Sequence, residues 1–498
     1  YTATVYEKGA EVIRVLKILL GPTIFKQGMD LYLSRHDGDA ATIEDFVACF
    51  AEVSGRDLSQ FFLWYRQSGT PDIAVEVRHD ARAGTVTLDV TQTLYPTPGQ
   101  PSKQPMVIPI AFGLVGEDGR DRPLLSEDGQ LSSGILEINA LKHRFVFSGH
   151  PTRPIASLNR GFSAPVKISA NLSDQDLLFL AGHDNDPYNR WQSAQTVATR
   201  LLTQSTRRVR DGLPPLEDPA LIAALSAVLK EADSDPAFAA LVMTLPTEAD
   251  IAREIATDVD PDAIFVARSA LRRAIGQSLA GELQAIRDRL VPAQPFSPDA
   301  VSAGRRALRN VALDLIAAPG APSALDLAEA QFEAADNMTD RLAALSVLAQ
   351  HAGERRERAL EAFRARYHDD PLVIDKWYAL QATIAEDGTL ARVETLITSA
   401  GAAMANPNRL RSLVGAFATG NPTQFNRADG AGYTFLADIV LKTDATNSQV
   451  AARLLSAFRS WRALEPVRRE KARLALSRVA SANNLSPDVR DIVDRSLL

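Results

Sequence analysis

The spacing of hydrophobic residues along this chain changes twice, and each change predicts a change of structure. Up to about residue 69, apolar residues recur every three or four positions, as in amphipathic helices. After Pro71, apolar and polar residues alternate, which is typical of half-buried strands. Beyond Ser173 the helical spacing returns. The pattern predicts a helical segment over residues 1–70, a β-sandwich over 71–168 and a helical domain over 169–498.

Turn and capping residues divide the first segment into four predicted helices. Gly21-Pro22 ends the first helix, and a second is predicted from about Thr23 to Arg35. The Thr42 hydroxyl can accept a hydrogen bond from the amide of Asp45, and the Asp45 carboxylate can accept one from the amide of Thr42. This variant of the capping box predicts the start of a third helix. A fourth, aromatic helix is predicted for the stretch that contains Leu58, Phe61, Phe62, Trp64 and Tyr65.

Short alternating segments predict the strands of the sandwich. One strand carries Val86, Leu88 and Val90 on a single face, and another has its apolar face from Met106 to Leu114. Pro109 lies within the second strand and favours a sheet edge or a bulge there, because proline has no N–H to donate. Later strands are predicted at residues 145–147 and 162–168. Short strands separated by turn residues are typical of an all-β sandwich.

Segments rich in Ala and Leu, with charged outer faces, follow one another beyond Ser173. Successive helices joined by short turns predict an α-solenoid or superhelical array, although no strict sequence repeat is present. The whole fold is therefore predicted to be mostly α with a β-sandwich insert. The predicted helices include Ala220–Leu229, Phe265–Arg289, Arg305–Ala317, Thr339–Gln350, Arg355–Arg366, Asp375–Ile384 and Gln449–Ala463.

Composition excludes several classes of partner. The 498 residues carry a formal net charge of -7 with basic and acidic residues interspersed, so no nucleic-acid-binding face is predicted. No apolar run reaches the roughly 18 residues of a membrane span, so no membrane contact is predicted either. The single cysteine, Cys49, lies in an apolar stretch and is interpreted as a buried thiol. Its isolation fits a reducing compartment, and a cytoplasmic location is expected.

The residues alone reveal no catalytic motif. The seven histidines include no H-E-x-x-H and no pair at i, i+4, and we interpret all of them as structural or surface residues. Asp184-Asn185-Asp186 resembles the start of a calcium loop but lacks its Gly and its downstream Glu, so we interpret it as a solvated turn before a helix. Phosphate-binding and nucleophile-elbow motifs are also absent from the sequence.

The chain begins at Tyr1 inside a pattern, without a signal peptide, and the helical period is already established at Val12. We therefore expect the chain to be the C-terminal portion of a larger protein, part of whose chemistry lies upstream.

Several segments resemble one enzyme family. Residues 5–14 read V-Y-E-K-G-A-E-V-I-R and resemble the Y-x-K-G-A-x-V segment of the zinc-dependent alanyl aminopeptidases, the aminopeptidase N family. Residues 64–71, W-Y-R-Q-S-G-T-P, resemble its bacterial branch. Similar stretches lie at Gly28–Tyr32, Arg35–Gly38, Asp57–Phe61, Phe162–Val166, Asn337–Leu345, Asp375–Trp377 and Asn406–Leu413.

The resemblance implies the helical tail of a thermolysin-like catalytic domain, then a small β-sandwich, then an α-superhelical domain that covers the active site. It implies zinc in the intact enzyme, bound through H-E-x-x-H and a downstream Glu, and a G-x-M-E-N segment for the substrate amine. Neither motif occurs in the 498 residues, so no metal ligand, and no zinc, is expected in this chain. The expected partners are peptide substrates and the missing N-terminal half of the same protein.

One catalytic group carries over from the family motif, Tyr6. In the family, the phenol of the matching tyrosine points at the tetrahedral intermediate of amide hydrolysis, where a fixed O–H donor stabilises the oxyanion. Without the resemblance, a tyrosine at a helix start is a packing or surface residue. The adjacent Glu7 is interpreted as a first-turn residue that complements the helix dipole.

Arg411 and Arg453 are the candidate substrate-binding residues. Basic side chains in the chamber that the family's helical domain encloses would attract peptide C-termini. The alternative is that each is a surface arginine paired with a neighbouring carboxylate.

Two functions follow from these observations. In the first, the parent protein is a zinc aminopeptidase that hydrolyses N-terminal residues from peptides, and this chain alone is inactive. In the second, the chain is a non-catalytic helical-repeat interaction or peptide-binding module.

Overall fold

A computed structural model describes residues 4–126, 132–291 and 295–498 of the chain. The chain divides into two compact units, Tyr1–Val197 and Ala198–Leu498, called here the first and the second unit. The first unit contains the predicted short helices and the β-sandwich, and the second is helical. Among the described residues, no helix is long and apolar enough to cross a membrane.

The first unit begins with helices whose ends match the sequence signals. A π-helical turn at Thr4–Lys8 leads into α1 (Gly9–His36), which is followed by α2 (Ile43–Ser54) and α3 (Leu63–Arg66). The predicted break at Gly21-Pro22 is confirmed as an interruption of α1, because Gly21 adopts φ 77° and ψ 161°. Glycine reaches this conformation without the steric cost that a Cβ would impose.

The predicted capping box is confirmed at the start of α2. The amide of Asp45 donates to the Thr42 hydroxyl (3.2 Å), and the amide of Thr42 donates to the Asp45 carboxylate (2.9 Å). The predicted aromatic helix is shorter than expected, because residues 59–62 form turns and helical geometry is limited to α3. Cys49 is buried in α2, as predicted.

The strands form two sheets that face each other across a hydrophobic interior. One sheet has the order β4-β6-β2-β1-β8, and the other has the order β5-β3-β7, for the residues described. β1 and β8 pair in parallel, and the other pairs are antiparallel. The strands are β1 (Asp72–Asp80), β2 (Thr85–Thr93), β3 (Ile108–Val115), β4 (Leu125–Ser126), β5 (Ile135–Ile138), β6 (Lys142–Ser148), β7 (Ile155–Leu158) and β8 (Lys167–Ala170).

Pro109 shows how a central strand can accommodate a proline. β3 pairs with β5 over residues 108–111 and with β7 over residues 112–115, so at Pro109 the strand has a neighbour on one side only. The predicted edge is therefore a local one. The strand predicted for residues 162–168 is wrong in its first half: Arg160–Phe162 form a short 3-10 helix, and β8 begins at Lys167.

The short helices and the sandwich share one hydrophobic core. Phe50, Phe61 and Trp64 from the helical segment lie in the same buried cluster as Ile108 and Ile110 from β3. Within the helical segment, Gly28 of α1 packs closely against α2, and an added Cβ at Gly28 would lie 2.7 Å from the Phe50 ring carbon Cε1. A glycine is therefore required at this position by packing.

The remaining helices succeed one another with short connections, as predicted for an array. Two predicted helices are divided differently in the structure. The helix predicted over residues 265–289 is split into two helices that meet at Leu279. The helix predicted over residues 449–463 ends at Leu455, and the chain continues as 3-10 turns. From α4 to α13 the helices are α4 (Asp174–His183), α5 (Pro187–Arg210), α6 (Pro219–Lys230), α7 (Pro236–Met243), α8 (Glu248–Ile255), α9 (Pro261–Ser278), α10 (Ala280–Arg289), α11 (Ala300–Ala317), α12 (Pro322–Ala334) and α13 (Met338–Ala349).

The C-terminal helices complete the second unit. They are α14 (Glu354–Tyr367), α15 (Pro371–Ala382), α16 (Thr389–Ala400), α17 (Pro407–Leu410), α18 (Ala416–Gly420), α19 (Pro422–Phe425), α20 (Ala431–Asp444), α21 (Ser448–Leu455), α22 (Pro466–Ala480) and α23 (Pro487–Leu497). Three of them, α15, α17 and α19, begin with an Asn or Asp N-cap followed by Pro, and the N-cap side chain accepts hydrogen bonds from amides of the first turn.

Contacts between distant parts of the sequence close the second unit. The amide of Val259 donates to the Ala463 carbonyl (2.8 Å), and the amide of Glu465 donates to the Val259 carbonyl (2.9 Å). The buried Arg468 forms ion pairs with Asp262 and with Glu465, the latter at 3.1 Å. These contacts join the α8–α9 region to the C-terminal helices.

We predict that Gly28→Ala destabilises the protein even though alanine is the better helix former. The added methyl group overlaps the buried Phe50 ring, and overpacking of this kind costs about 1–3 kcal/mol. Gly182→Ala is the matched control, because Gly182 lies in α4 and an added Cβ there would have no neighbouring heavy atom within 4 Å. That variant should gain roughly 0.5–1 kcal/mol. Calorimetric unfolding midpoints test both, and an unchanged midpoint for Gly28→Ala would contradict the packing argument.

His150 gives the sandwich a predicted dependence on pH. Its side chain is buried, and among the described residues its Nε2 has no hydrogen-bond partner. Burial lowers the pKa of His150 below its ordinary value of 6.5, and the charges of His79 and Arg122 lower it further. The unfolded chain therefore binds this proton more readily than the folded chain does.

The sign of the effect follows by linkage. Stability rises with pH from the lowered folded pKa up to about 6.5, and this contribution is constant above that value. We expect His150→Gln to reduce the difference between unfolding midpoints measured at about pH 5 and about pH 7. His368→Gln is the control, since His368 is exposed. Equal reductions in the two variants would count against a specific role for His150.

Candidate functional site

Tyr6 lies on the π-helical turn that precedes α1, and its side chain is 61 % exposed. Glu7 is also exposed on this turn. The phenol is thus at the surface of the first unit, at the start of a helix whose next turns are anchored by the buried Val12, Val15 and Leu16. An exposed group on an anchored turn is accessible to a ligand and is held by the core behind it.

Lys8 fixes the turn that carries Tyr6. Its Nζ donates to the carbonyl of Gly69 (2.6 Å) and lies 6.0 Å from the centroid of the Trp64 ring. Burial lowers the pKa of Lys8, and the charge of Lys103, which donates to the Ser68 carbonyl (2.7 Å), lowers it further. Two ammonium groups therefore converge on the loop between α3 and β1.

Glu11 and Arg14 also hold the first turns of α1. Arg14 Nε lies 2.8 Å from the Glu11 carboxylate, and Arg14 also donates to the carbonyl of Gly161 (3.3 Å). The contact with Gly161 joins α1 to the loop after β7. The segment behind Tyr6 is thus connected to the β-sandwich at two separate places, Gly69 and Gly161.

The loop after β7 contains a partly buried charge cluster that the sequence did not reveal. Arg160 pairs with Asp121 (2.8 Å) and with the buried Asp184 (3.0 Å). Burial raises the pKa of Asp184, and the neighbouring Arg160 opposes that rise. The three residues are far apart in the chain, so no spacing pattern could have indicated the cluster.

The Asp184-Asn185-Asp186 segment therefore differs from the solvated turn that was predicted. It does precede a helix, α5, but Asp184 is buried and accepts the amide of Asp186 (2.9 Å). Asp186 in turn accepts the amides of Gly161 (2.9 Å) and Asn189 (2.8 Å). The segment closes a polar network around Arg160, which explains its acidic residues without a calcium ion.

Arg411 and Arg453 both lie exposed in the second unit, whereas Tyr6 lies in the first. Arg411 starts a π-helical turn and donates to the side-chain oxygen of Asn408 (2.8 Å), and Arg453 is on the last turn of α21. Their elements meet where Gly415 approaches Leu454, since an added Cβ on Gly415 would be 3.8 Å from Leu454 Cδ2. The alternative interpretation was that each arginine pairs with a neighbouring carboxylate. In the described part of the chain, neither arginine forms such an ion pair.

The described residues do not fit a zinc site. Within residues 4–126, 132–291 and 295–498, no group of three or more His, Cys, Asp or Glu side chains is arranged to hold a metal ion. A protein zinc site needs three or four such ligands.

Family models match the chain in three consecutive parts. Residues 1–65 match the peptidase family M1 domain, residues 69–171 match an Ig-like domain of unknown function (DUF3458), and residues 174–498 match a domain of unknown function with ARM repeats (DUF3458_C). The last model alone covers more than half of the chain.

Whole-chain comparisons agree with these models. The chain is 42 % identical to aminopeptidase N of Caulobacter vibrioides and 38 % identical to aminopeptidase N of Escherichia coli, over 100 % of this chain. It spans 56 % and 57 % of the length of those relatives. The structure of Legionella pneumophila aminopeptidase A in complex with aspartic acid matches 100 % of this chain and 57 % of that one, with a TM-score of 0.87 at 27 % identity.

The architecture and the matches therefore agree with the predicted resemblance: the chain belongs to the family that contains the bacterial aminopeptidases N.

Proposed function

We propose that this chain is part of a zinc-dependent aminopeptidase that hydrolyses N-terminal residues from peptides. The carrying observation is the Y-E-K-G-A motif, whose tyrosine, Tyr6, stands exposed on a turn fixed by Lys8. The zinc ion that the family implies would need ligands from outside residues 4–126, 132–291 and 295–498, since these described residues offer none. The partners in this proposal are peptide substrates and the N-terminal half of the same protein.

Tyr6 is proposed as the oxyanion-stabilising donor. When a peptide bond is hydrolysed, the carbonyl oxygen gains negative charge, and a phenol O–H aimed at that oxygen stabilises the transition state more than the ground state. A phenol suits this task because it retains its proton at neutral pH. The attachment of Lys8 to Gly69 supports the proposal, because a donor held in place loses little free energy to reorganisation as the charge develops.

In the full-length enzyme, we expect Tyr6→Phe to lower kcat by about 10²–10³ with little change in KM, since the lost hydrogen bond belongs to the transition state. Steady-state hydrolysis of an aminoacyl arylamide measures both constants. The matched control is Tyr95→Phe, which removes a phenol oxygen from a residue of similar exposure, 59 %. A Tyr6→Phe enzyme that keeps kcat within about twofold would remove Tyr6 from the mechanism.

Arg411 and Arg453 are proposed to attract the C-terminal carboxylates of peptide substrates. Both guanidinium groups are exposed and unpaired with any described carboxylate, so their charge is available to a ligand. Their elements are in contact near Gly415, which allows the two charges to act on one substrate.

If the two arginines bind the C-terminus, substituting them should affect only substrates that have a free C-terminal carboxylate. Arg411→Met and Arg453→Met in the full-length enzyme should raise KM for peptides with a free C-terminus by about two- to tenfold, and more so at low salt. Hydrolysis of an aminoacyl arylamide, which has no such carboxylate, should be unchanged. Arg495→Met is the control at an exposed arginine. If both substrates are affected equally, these residues do not bind the C-terminus.

The second candidate function is a non-catalytic interaction or peptide-binding module, which the ARM-repeat match favours. Repeat arrays present extended surfaces that bind other chains. Under the first proposal as well as the second, the 498-residue chain alone should show no hydrolysis of an aminoacyl arylamide and no stoichiometric zinc. Chelator-sensitive hydrolysis by this chain would contradict that expectation.

The expected cytoplasmic location stays a prediction.

A further inference from the structure

A cavity of about 800 Å³ lies within the second unit. It is bordered by α8, the start of α9, α18, α19 and the turns that follow α21. The backbone pairing of Val259 with the segment 463–465 forms part of its wall, so the cavity is located where the second unit closes on itself. Its volume falls in the range of about 300–1,000 Å³ that is common for sites binding small ligands.

The walls combine small apolar side chains with a few polar groups. Alanines contribute much of the lining, together with Ile264 and Phe425. Small side chains leave room for the side chains of a ligand, and hydroxyl groups of Thr419, Ser456 and Ser460 add polar surface. A predominantly apolar lining with a small number of polar groups is the usual composition of a ligand pocket.

One acidic group in the cavity lining receives no hydrogen bond from the described residues. Glu248, the first residue of α8, is half-buried, and no described residue donates a hydrogen bond to its carboxylate. Burial raises the pKa of Glu248, and the charge of Arg268 from α9 opposes the rise. Arg268 itself donates through Nε to the carbonyl of Pro246 (2.8 Å). A carboxylate in this condition gains from an ammonium group that supplies both charge and hydrogen bonds.

One basic group in the lining also lacks a partner. Arg459 is exposed and forms no ion pair with any described carboxylate. Arg253, the other arginine of the lining, is paired with Asp250 (2.9 Å). The cavity therefore offers a carboxylate that receives no hydrogen bond and a guanidinium group that has no carboxylate partner among the described residues, and a ligand with one positive and one negative end would supply both.

Backbone strain is present at the same place. Ala256, which ends α8 and lines the cavity, has φ 64° and ψ -39°, and Asp258 has φ 61°. An L-residue in such a conformation costs about 1–3 kcal/mol, and residues of this kind cluster at ligand clamps and other functional sites. The strain supports a binding role that the charges already indicate.

We propose that this cavity binds a short zwitterionic peptide of two or three residues, with its ammonium group at Glu248 and its carboxylate at Arg459. An extended tripeptide is about 10 Å long, at roughly 3.3–3.6 Å per residue, so its two charged ends can reach two separate groups of the lining. The proposal goes beyond the proposed hydrolytic function and does not rest on it, because binding here requires no catalysis.

The test measures binding of trialanine to the 498-residue chain by isothermal titration calorimetry at neutral pH. We expect saturable binding to one site. N-acetyl-trialanine, which lacks the ammonium group, and trialanine amide, which lacks the carboxylate, should each bind at least about tenfold more weakly. An acetylated peptide that binds as tightly as trialanine, or no binding of trialanine at about 10 mM, would overturn the proposal.

Two variants assign each end of the ligand. Glu248→Gln should weaken trialanine binding and abolish the discrimination against the acetylated peptide, and Arg459→Met should abolish the discrimination against the amide. The controls are Glu44→Gln, a first-turn acid of α2, and Arg273→Met, an arginine of α9 outside the cavity. Unfolding midpoints within about 2 °C of the parent establish folding. Binding that neither cavity variant changes would place the peptide elsewhere.

Discussion

The indole of Trp64 connects the parts of the first unit on which the candidate site depends. The ring is 4 % exposed, and its Nε1–H donates to the Val107 carbonyl (3.0 Å) at the edge of β3. The ammonium of Lys8 faces the same ring and binds the Gly69 carbonyl. Removing a buried tryptophan typically costs about 3–5 kcal/mol. Here the loss would also release the turn that carries Tyr6.

This arrangement explains how an exposed residue can have a defined position. The Tyr6 residue gains little from burial, so its position depends on how the turn that carries it is held. Lys8 supplies one attachment at Gly69, and Arg14 supplies a second at Gly161. Both attachments end on carbonyl groups of the β-sandwich or its flanking loops. The sandwich therefore acts as the support for a group that belongs to the helical segment.

A different interaction holds the second unit. Helices that follow one another in an array contact their sequence neighbours, and such contacts leave the two ends independent. Arg468 overcomes this by pairing with Glu465 nearby and with Asp262, which lies far away in the sequence. The pair with Glu465 is buried on both sides, and removing one partner of a buried ion pair typically costs about 3–5 kcal/mol. The cavity lined by Glu248 and Arg459 lies beside this closure, so its shape depends on it.

Local signals in the sequence were sufficient for the order of elements and for many of their ends. Gly21 interrupts α1, Thr42 and Asp45 cap α2, and the alternating residues of β2 face the core, because each of these features depends on neighbours a few positions away. The family motif around Tyr6 could also be identified from the sequence, because it is a continuous stretch of residues. These are properties of short segments, and they hold wherever the segment is placed.

Only the tertiary structure decided which distant residues meet. Arg160 with Asp184, Lys8 with Gly69, and Arg468 with Asp262 have no common spacing, and the packing of whole elements brings them together. Burial also changes the environment of Asp184. Its acidic sequence neighbours indicated a solvated turn, but in the structure Asp184 is buried and pairs with the guanidinium group of Arg160. The local pattern shows which residues carry charge, but desolvation and pairing depend on the surroundings that the rest of the chain provides.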